Sequence, residues 1–234
     1  MEPITILARA TIFVPQFIGY SAENVGKLKD LLPGAQILAG GFAPPMANPN
    51  FPLFTIPDGV PWQMVKDGFS IQFFPNKIDI VQNKLLFKEE EEELFKNNAI
   101  GIFEAIMKIY DIKNAKRLAY APICVIDNSD NFSVEEYLNK LVNISSFMGN
   151  VPQEIILNTN YKVESQGFHM NFLSKISEGT KNMAKDNNSK CVVIDLDLNT
   201  IAEEVRDFDM NNIKLFFTTI GNTKKDYIQH LLKI

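Results

Sequence analysis

Histidine, cysteine and arginine are scarce in this chain: two, two and three residues among 234. His169 and His230 lie far apart and neither neighbours a cysteine, so the paired ligand spacing of a zinc site is missing. Cys124 and Cys191 are too few for a disulfide framework; each sits in an apolar strand-like run, where a buried reduced thiol is expected. Arg9, Arg117 and Arg206 do not make a phosphate-reading cluster. The net charge of −5, from 23 basic and 28 acidic residues, points away from a general nucleic-acid binder, which needs a cationic surface to displace counterions. No apolar run approaches the roughly 20 residues that span a bilayer. The opening Met1-Glu2-Pro3 lacks the positive segment of a secretory signal, and Arg9 cuts the apolar run behind it. A Walker loop, a Gly-x-Ser-x-Gly elbow and a dinucleotide fingerprint are all absent from the sequence. A cytoplasmic protein without a membrane span is the expectation.

What is present is strand and turn chemistry. Phe51 to Gln82 reads as a three-stranded meander. Gln63 to Val65 leads into Asp67-Gly68, then Phe69, Ile71 and Phe73 alternate with polar residues, and after Pro75-Asn76 the alternation resumes with Ile78 and Ile80. Asp-Gly between alternating runs signals a hairpin, because both central residues must accept positive φ. Ile4 to Val14 reads as a strand, and Ser21 caps a helix ending at Pro33-Gly34. A short strand spans Gln36 to Leu38, followed by a proline-rich loop from Phe42 to Pro52. From about Leu85 to Asp111 the period is helical, with Phe87, Leu94, Phe95, Ile102, Phe103, Ile106 and Ile109 on one stripe. The run Glu89 to Glu93 reads as a solvated helix start favoured by the dipole.

The second stretch follows a similar order. Arg117 to Ile126 reads as a strand, and Ser133 and Glu136 form a capping box for a helix running to Gly149. Strands are expected over Glu154–Val163, from Phe168, and over Cys191–Leu198, with Thr180 to Lys190 as a polar loop. A last helix lies within Asn212 to Leu232, marred by Gly221. Tyr20-Ser21-Ala22-Glu23 aligns with Phe132-Ser133-Val134-Glu135, so the chain divides into two similar strand–helix–strands–helix halves, residues 1–113 and 114–234, which can join as one domain. The fold class expected is α+β, with antiparallel meander sheets and packed helices.

The Trp and Asp-Gly hairpin of Pro61 to Val81, the Phe-rich helix after it, the Arg-Leu-Ala-Tyr strand at 117–120 and the Ile-Asp-Leu-Asp strand at 194–197 together resemble a sporadically distributed family of uncharacterised bacterial proteins of similar length. The resemblance covers the latter three-quarters of the chain. That family has no settled activity, so the resemblance implies no site.

Two sets of residues stand out. On a strand, Asp195 and Asp197 share one face at about 7 Å spacing, a geometry that suits a divalent cation such as Mg²⁺ with a phosphorylated or nucleotide substrate. Glu203, Glu204, Asp207 and Asp209 follow nearby, but the same pattern is also an ordinary half-buried strand with a wet outer face. Phe42, Met46 and Phe51 on the proline-stiffened loop, with Trp62 at the sheet entrance, are the candidates for contact with a partner, as apolar side chains on a stiff loop lose little entropy on docking. The same loop also suits a lid over the chain's own core, and a Trp at a sheet end also suits a core plug. With no catalytic constellation in view, the sequence reads as a non-enzymatic binding protein that needs no cofactor and has a protein partner or a second copy as its target. The alternative is a metal-dependent enzyme using Asp195 and Asp197.

Overall fold

The computed structural model describes residues 3–39, 60–127, 133–142, 154–183, 187–203 and 206–233. Its strands are β1 (Ile4–Phe13), β2 (Gln36–Ala39), β3 (Trp62–Lys66), β4 (Phe69–Phe74), β5 (Lys77–Phe87), β6 (Arg117–Asp127), β7 (Ile156–Ser165), β8 (Phe168–Met183) and β9 (Asn187–Thr200). Its helices are α1 (Ala22–Leu28), α2 (Glu89–Ile109), α3 (Val134–Val142) and α4 (Met210–Leu231). All nine strands belong to one antiparallel sheet, in the order β2-β3-β4-β5-β1-β6-β9-β8-β7. The class is therefore α+β, with β1 and β6 paired at the centre. No helix among the described residues is long and apolar enough to cross a membrane.

The local signals explain the hairpins. Asp67 and Gly68 have φ of 49° and 77°, and Gln166 and Gly167 repeat this at 51° and 76°, the mirror-image turn that matches strand twist. A Cβ on Gly68 would also stand 2.6 Å from the Asn83 carbonyl oxygen, so the position admits glycine for two reasons. Along each strand the pleat separates two faces. Ala8, Ala10 and Ile12 of β1 meet Ile78 and Ile80 of β5 and Leu118 and Tyr120 of β6, all at most 1% exposed. The same face continues through Met64, Ile71 and Phe73 on one side and Ile194, Leu196, Phe172 and Ile176 on the other.

The helices cover that face. α2 lies over β1 and β5, α4 over β6, α3 over β8 and β9, and α1 against α2. Phe95, Ala99, Phe103 and Ile106 of α2 and Ile213, Phe216, Phe217 and Ile220 of α4 supply the buried stripes. Phe103 and Phe217 stack at 5.8 Å, and Tyr120 meets Phe217 edge-on. The opposite face carries no described helix.

Several boundaries differ from the sequence reading. Phe87 belongs to β5, because ten-residue β1 draws its neighbour into pairing as far as Thr5↔Phe87. Leu94 is 59% exposed while Lys96, beside it, is 2% exposed, so the buried stripe is rotated from the one expected. α1 stops at Leu28, and tighter turns closed by Leu31 N–H to Leu28 C=O and Ala35 N–H to Leu32 C=O carry the chain to β2. Residues 180–183 and 187–190 continue the β8–β9 ladder, paired from Thr180↔Lys190 to Met183↔Asn187, since ladder hydrogen bonds need no apolar pattern. The expected end of α3 at Gly149 falls outside the described residues.

Candidate functional site

The open face of the sheet gathers charged and polar side chains of its central strands. Arg9 of β1 is exposed, and Asp195 of β9 pairs across the ladder with Lys175 of β8. Asp197 stands opposite Leu173, and Asn199 opposite Asn171. Asn199 is the hub. Its Nδ2 donates to Asp197 Oδ1 at 3.0 Å, and its Oδ1 accepts from Arg117 Nη2 at 2.7 Å. Arg117 Nε donates to the Thr200 carbonyl at 3.0 Å, and its guanidinium covers the Phe13 ring at 5.1 Å. Farther along, Thr11 Oγ1 and Lys77 Nζ each donate to Asp79 at 2.8 Å. Asn158, Leu173, Lys175, Asp195 and Asp197 line a shallow depression of about 190 Å³.

Burial raises the Asp195 carboxyl above the ordinary range, Arg9 and Lys175 oppose that rise, and the neighbouring Asp197 adds to it. The pair is thus held in a field of both signs. The β6–β9 ladder is interrupted beside it: pairing is present at Tyr120↔Leu198 and resumes at Ile123↔Asp195, across Pro122, which has no N–H to give.

Asp195 and Asp197 share a face, as alternation requires, but the other acids named with them lie elsewhere. Glu203 is exposed on the following turn, Asp207 pairs with Lys116, and Asp209 caps α4 by accepting from Asn212 N–H at 2.8 Å. Glu204 is outside the described residues. Among the described residues, no three His, Cys, Asp or Glu side chains converge in a way that suits a metal ion. Asn199, a further oxygen donor beside Asp197, is already engaged by Arg117 and Asp197.

Of the partner-contact candidates, Phe42, Met46 and Phe51 lie outside the described residues. Trp62 is 2% exposed, stacked on Phe73 at 4.0 Å with Tyr20 edge-on at 5.6 Å. Its side chain fills the core and is not an outward anchor; its Nε1 has no acceptor among the described residues.

A second polar constellation was not foreseen. It lies under the helices, where β1, β6, α2 and α4 meet. Glu92, 6% exposed, accepts from Thr5 Oγ1 and Tyr120 Oη at 2.6 Å and from Lys224 Nζ at 2.5 Å. Lys224 Nζ also reaches Thr5 Oγ1 at 2.9 Å, and Cys124 Sγ lies 3.6 Å from the same hydroxyl. A bulge in β1 between Thr5 and Leu7 turns Thr5 onto the helix side. Burial pushes the Glu92 carboxyl up, but Lys224 and the two hydroxyl donors outweigh it and hold it below its ordinary value. Burial pushes Lys224 down, and Cys124 and Glu92 more than reverse this. Tyr120 and Cys124 are both raised, chiefly by burial, so Cys124 is a poor nucleophile. Beside this cluster, buried Lys96 pairs with Glu93 beneath Gly221 of α4, where a Cβ would collide with the Lys96 ammonium. A side chain at position 221 would have to push that ammonium aside.

The run Glu89–Glu93 is therefore not wholly solvated. One of five consecutive carboxylates must point inward as the helix turns. The signal was in the spacing: Glu92 shares a stripe with Phe95, Lys96 and Ala99, and Lys224 with Phe217 and Ile220. This cluster is saturated by its own members and reads as a structural tie. The open face is the candidate site. No protein-family model matches the chain, and no curated protein matches its sequence.

Proposed function

We propose that this is a non-enzymatic, cytoplasmic binding protein that takes a protein partner on the open face of its sheet. The observation that carries the reading is the one-sided helix layer, which leaves the face with Arg9, Lys175, Asp195 and Asp197 uncovered by any described helix. Charges of both signs around apolar Leu7, Ile123 and Leu173 suit a polypeptide surface; a nucleic acid asks for one sign only. Asp195 and Asp197 act here as charged contacts, and no cofactor enters. Phe42, Met46 and Phe51 of the proline-rich stretch stay in this reading as further contacts with the partner. We also read the chain as two similar halves. Support comes from the sequence of elements, with β1 and β6 central and β5-β4-β3 and β9-β8-β7 leading outward from them.

The test is capture of host proteins on immobilised wild-type chain and on two variants. Arg9→Glu with Asp195→Lys exchanges charges on the open face; Glu104→Lys changes an exposed α2 carboxylate that pairs with Lys214. Partners retained by the wild type and Glu104→Lys, but lost at least tenfold by the open-face variant at unchanged melting temperature, are the expected result. Equal retention by all three contradicts the reading.

A further inference from the structure

The sheet ends in two dissimilar edges. β2 is four residues long, a common way of keeping an edge short. β7 has ten residues, contains neither glycine nor proline, and pairs with β8 without a bulge from Ile156↔Ser177 to Ser165↔Phe168. Its outer side pairs with no other described strand. A long, regular edge of this kind is a template for another strand. Exposed apolar side chains also concentrate here: Ile156 at 45%, Tyr161 at 48% and, one strand in, Leu173 at 38%. These three are half of the large exposed apolar residues in the described part of the chain.

We propose that β7 pairs antiparallel with β7 of a second copy, centred on Asn160, so that two sheets join into one. The strand's own sequence is the argument for a second copy. In this register Leu157 faces the second copy's Val163 and Thr159 faces its Tyr161 on the helix side, joining apolar and β-branched groups. On the open side Asn160 faces Asn160, Ile156 faces Glu164 and Asn158 faces Lys162, so no like charges oppose one another. Centring on Lys162 instead would set that ammonium against its own copy. The two-fold axis stands perpendicular to the sheet, which keeps both helix layers on one side and makes the two open faces continuous. Pairing of one strand is small beside the roughly 1,200–2,000 Å² of a stable interface, so the dimer is concentration-dependent. The proposal builds on the open-face reading, because it enlarges that surface, yet either can fail alone.

Light scattering across a dilution series tests it on the full chain. The wild type moves from 26.5 kDa toward twice that mass as concentration rises. Asn158→Glu places two carboxylates opposite the two Lys162 ammonium groups and tightens the dissociation constant by about two- to thirty-fold; adding Lys162→Glu turns both pairs repulsive and weakens it below wild type by a similar factor. Both positions are exposed, so the melting temperatures should stay close to wild type. A strict monomer, or a dimer indifferent to these substitutions, overturns the proposal. If such a monomer still captures partners through the open face, the binding reading survives; if β7 amides become protected from exchange only when partner is added, the edge belongs to a foreign strand.

Discussion

Replacing Glu92 with alanine is expected to lower unfolding free energy by about 3–5 kcal/mol, because it strands the Lys224 ammonium in a site from which water is excluded. The side chains of Glu92 and Lys224 are 8% and 12% exposed, so both charges lie largely out of solvent. Tyr120, 0% exposed, would lose its acceptor as well. Glu92→Gln keeps the shape, and its one amide oxygen still accepts from one of the two hydroxyls, so it should cost less than alanine. Replacing the pair together, Glu92→Leu with Lys224→Met, should cost less than the two single changes added, since no unpaired charge remains. Urea unfolding followed by circular dichroism gives all five values.

The same cluster sets a pH signature. Glu92 is held below the ordinary carboxylate range, so its stabilising contribution is full above that range and is lost as pH falls through the folded value. Lys224 and Tyr120 are raised above 10.5 and 10.0, so theirs is full below about pH 10 and is lost as pH rises through their folded values. In Glu92→Gln the acid limb should flatten.

Trp62→Ala is the second large effect, about 3–5 kcal/mol, as the indole is stacked between the first meander and the segment before α1. Trp62 touches Phe73 and Tyr20, and their rings would face a cavity. Trp62→Phe should cost distinctly less: it keeps an aromatic face on Phe73 and removes the Nε1 that has no described acceptor. The discriminating readout is partner capture by folded Trp62→Phe. A core role leaves capture at the wild-type level, whereas loss of capture without loss of stability would mean that Trp62 contacts the partner.

What could be read in advance follows from the range of the forces involved. Asp67-Gly68 and Gln166-Gly167 dictate their turns locally through positive φ, and Ser21 caps α1 through its own hydroxyl at 3.4 Å from Asn24 N, so these features were visible in short stretches. The alternation Val192, Ile194, Leu196, Leu198 likewise told which face Asp195 and Asp197 share. Their neighbours were not visible. Arg9 and Lys175 reach the pair only because β1-β6-β9-β8 is the strand order, a consequence of packing across the entire chain. Glu92 and Lys224 meet for the same reason, from opposite ends of the sequence. The long β8–β9 hairpin was hidden differently: its outer part is held by backbone pairing, which leaves no imprint on side-chain pattern.

The most direct measurement is carboxyl footprinting by mass spectrometry, with the protein alone and with its captured partner. Free protein should label at Asp195, exposed on the open face, and at Glu104 on α2. Binding should protect Asp195 and Asp197 while Glu104 stays as reactive as before. Protection of Glu104 and its neighbours on the helix layer, with Asp195 and Asp197 unchanged, would contradict the open-face account.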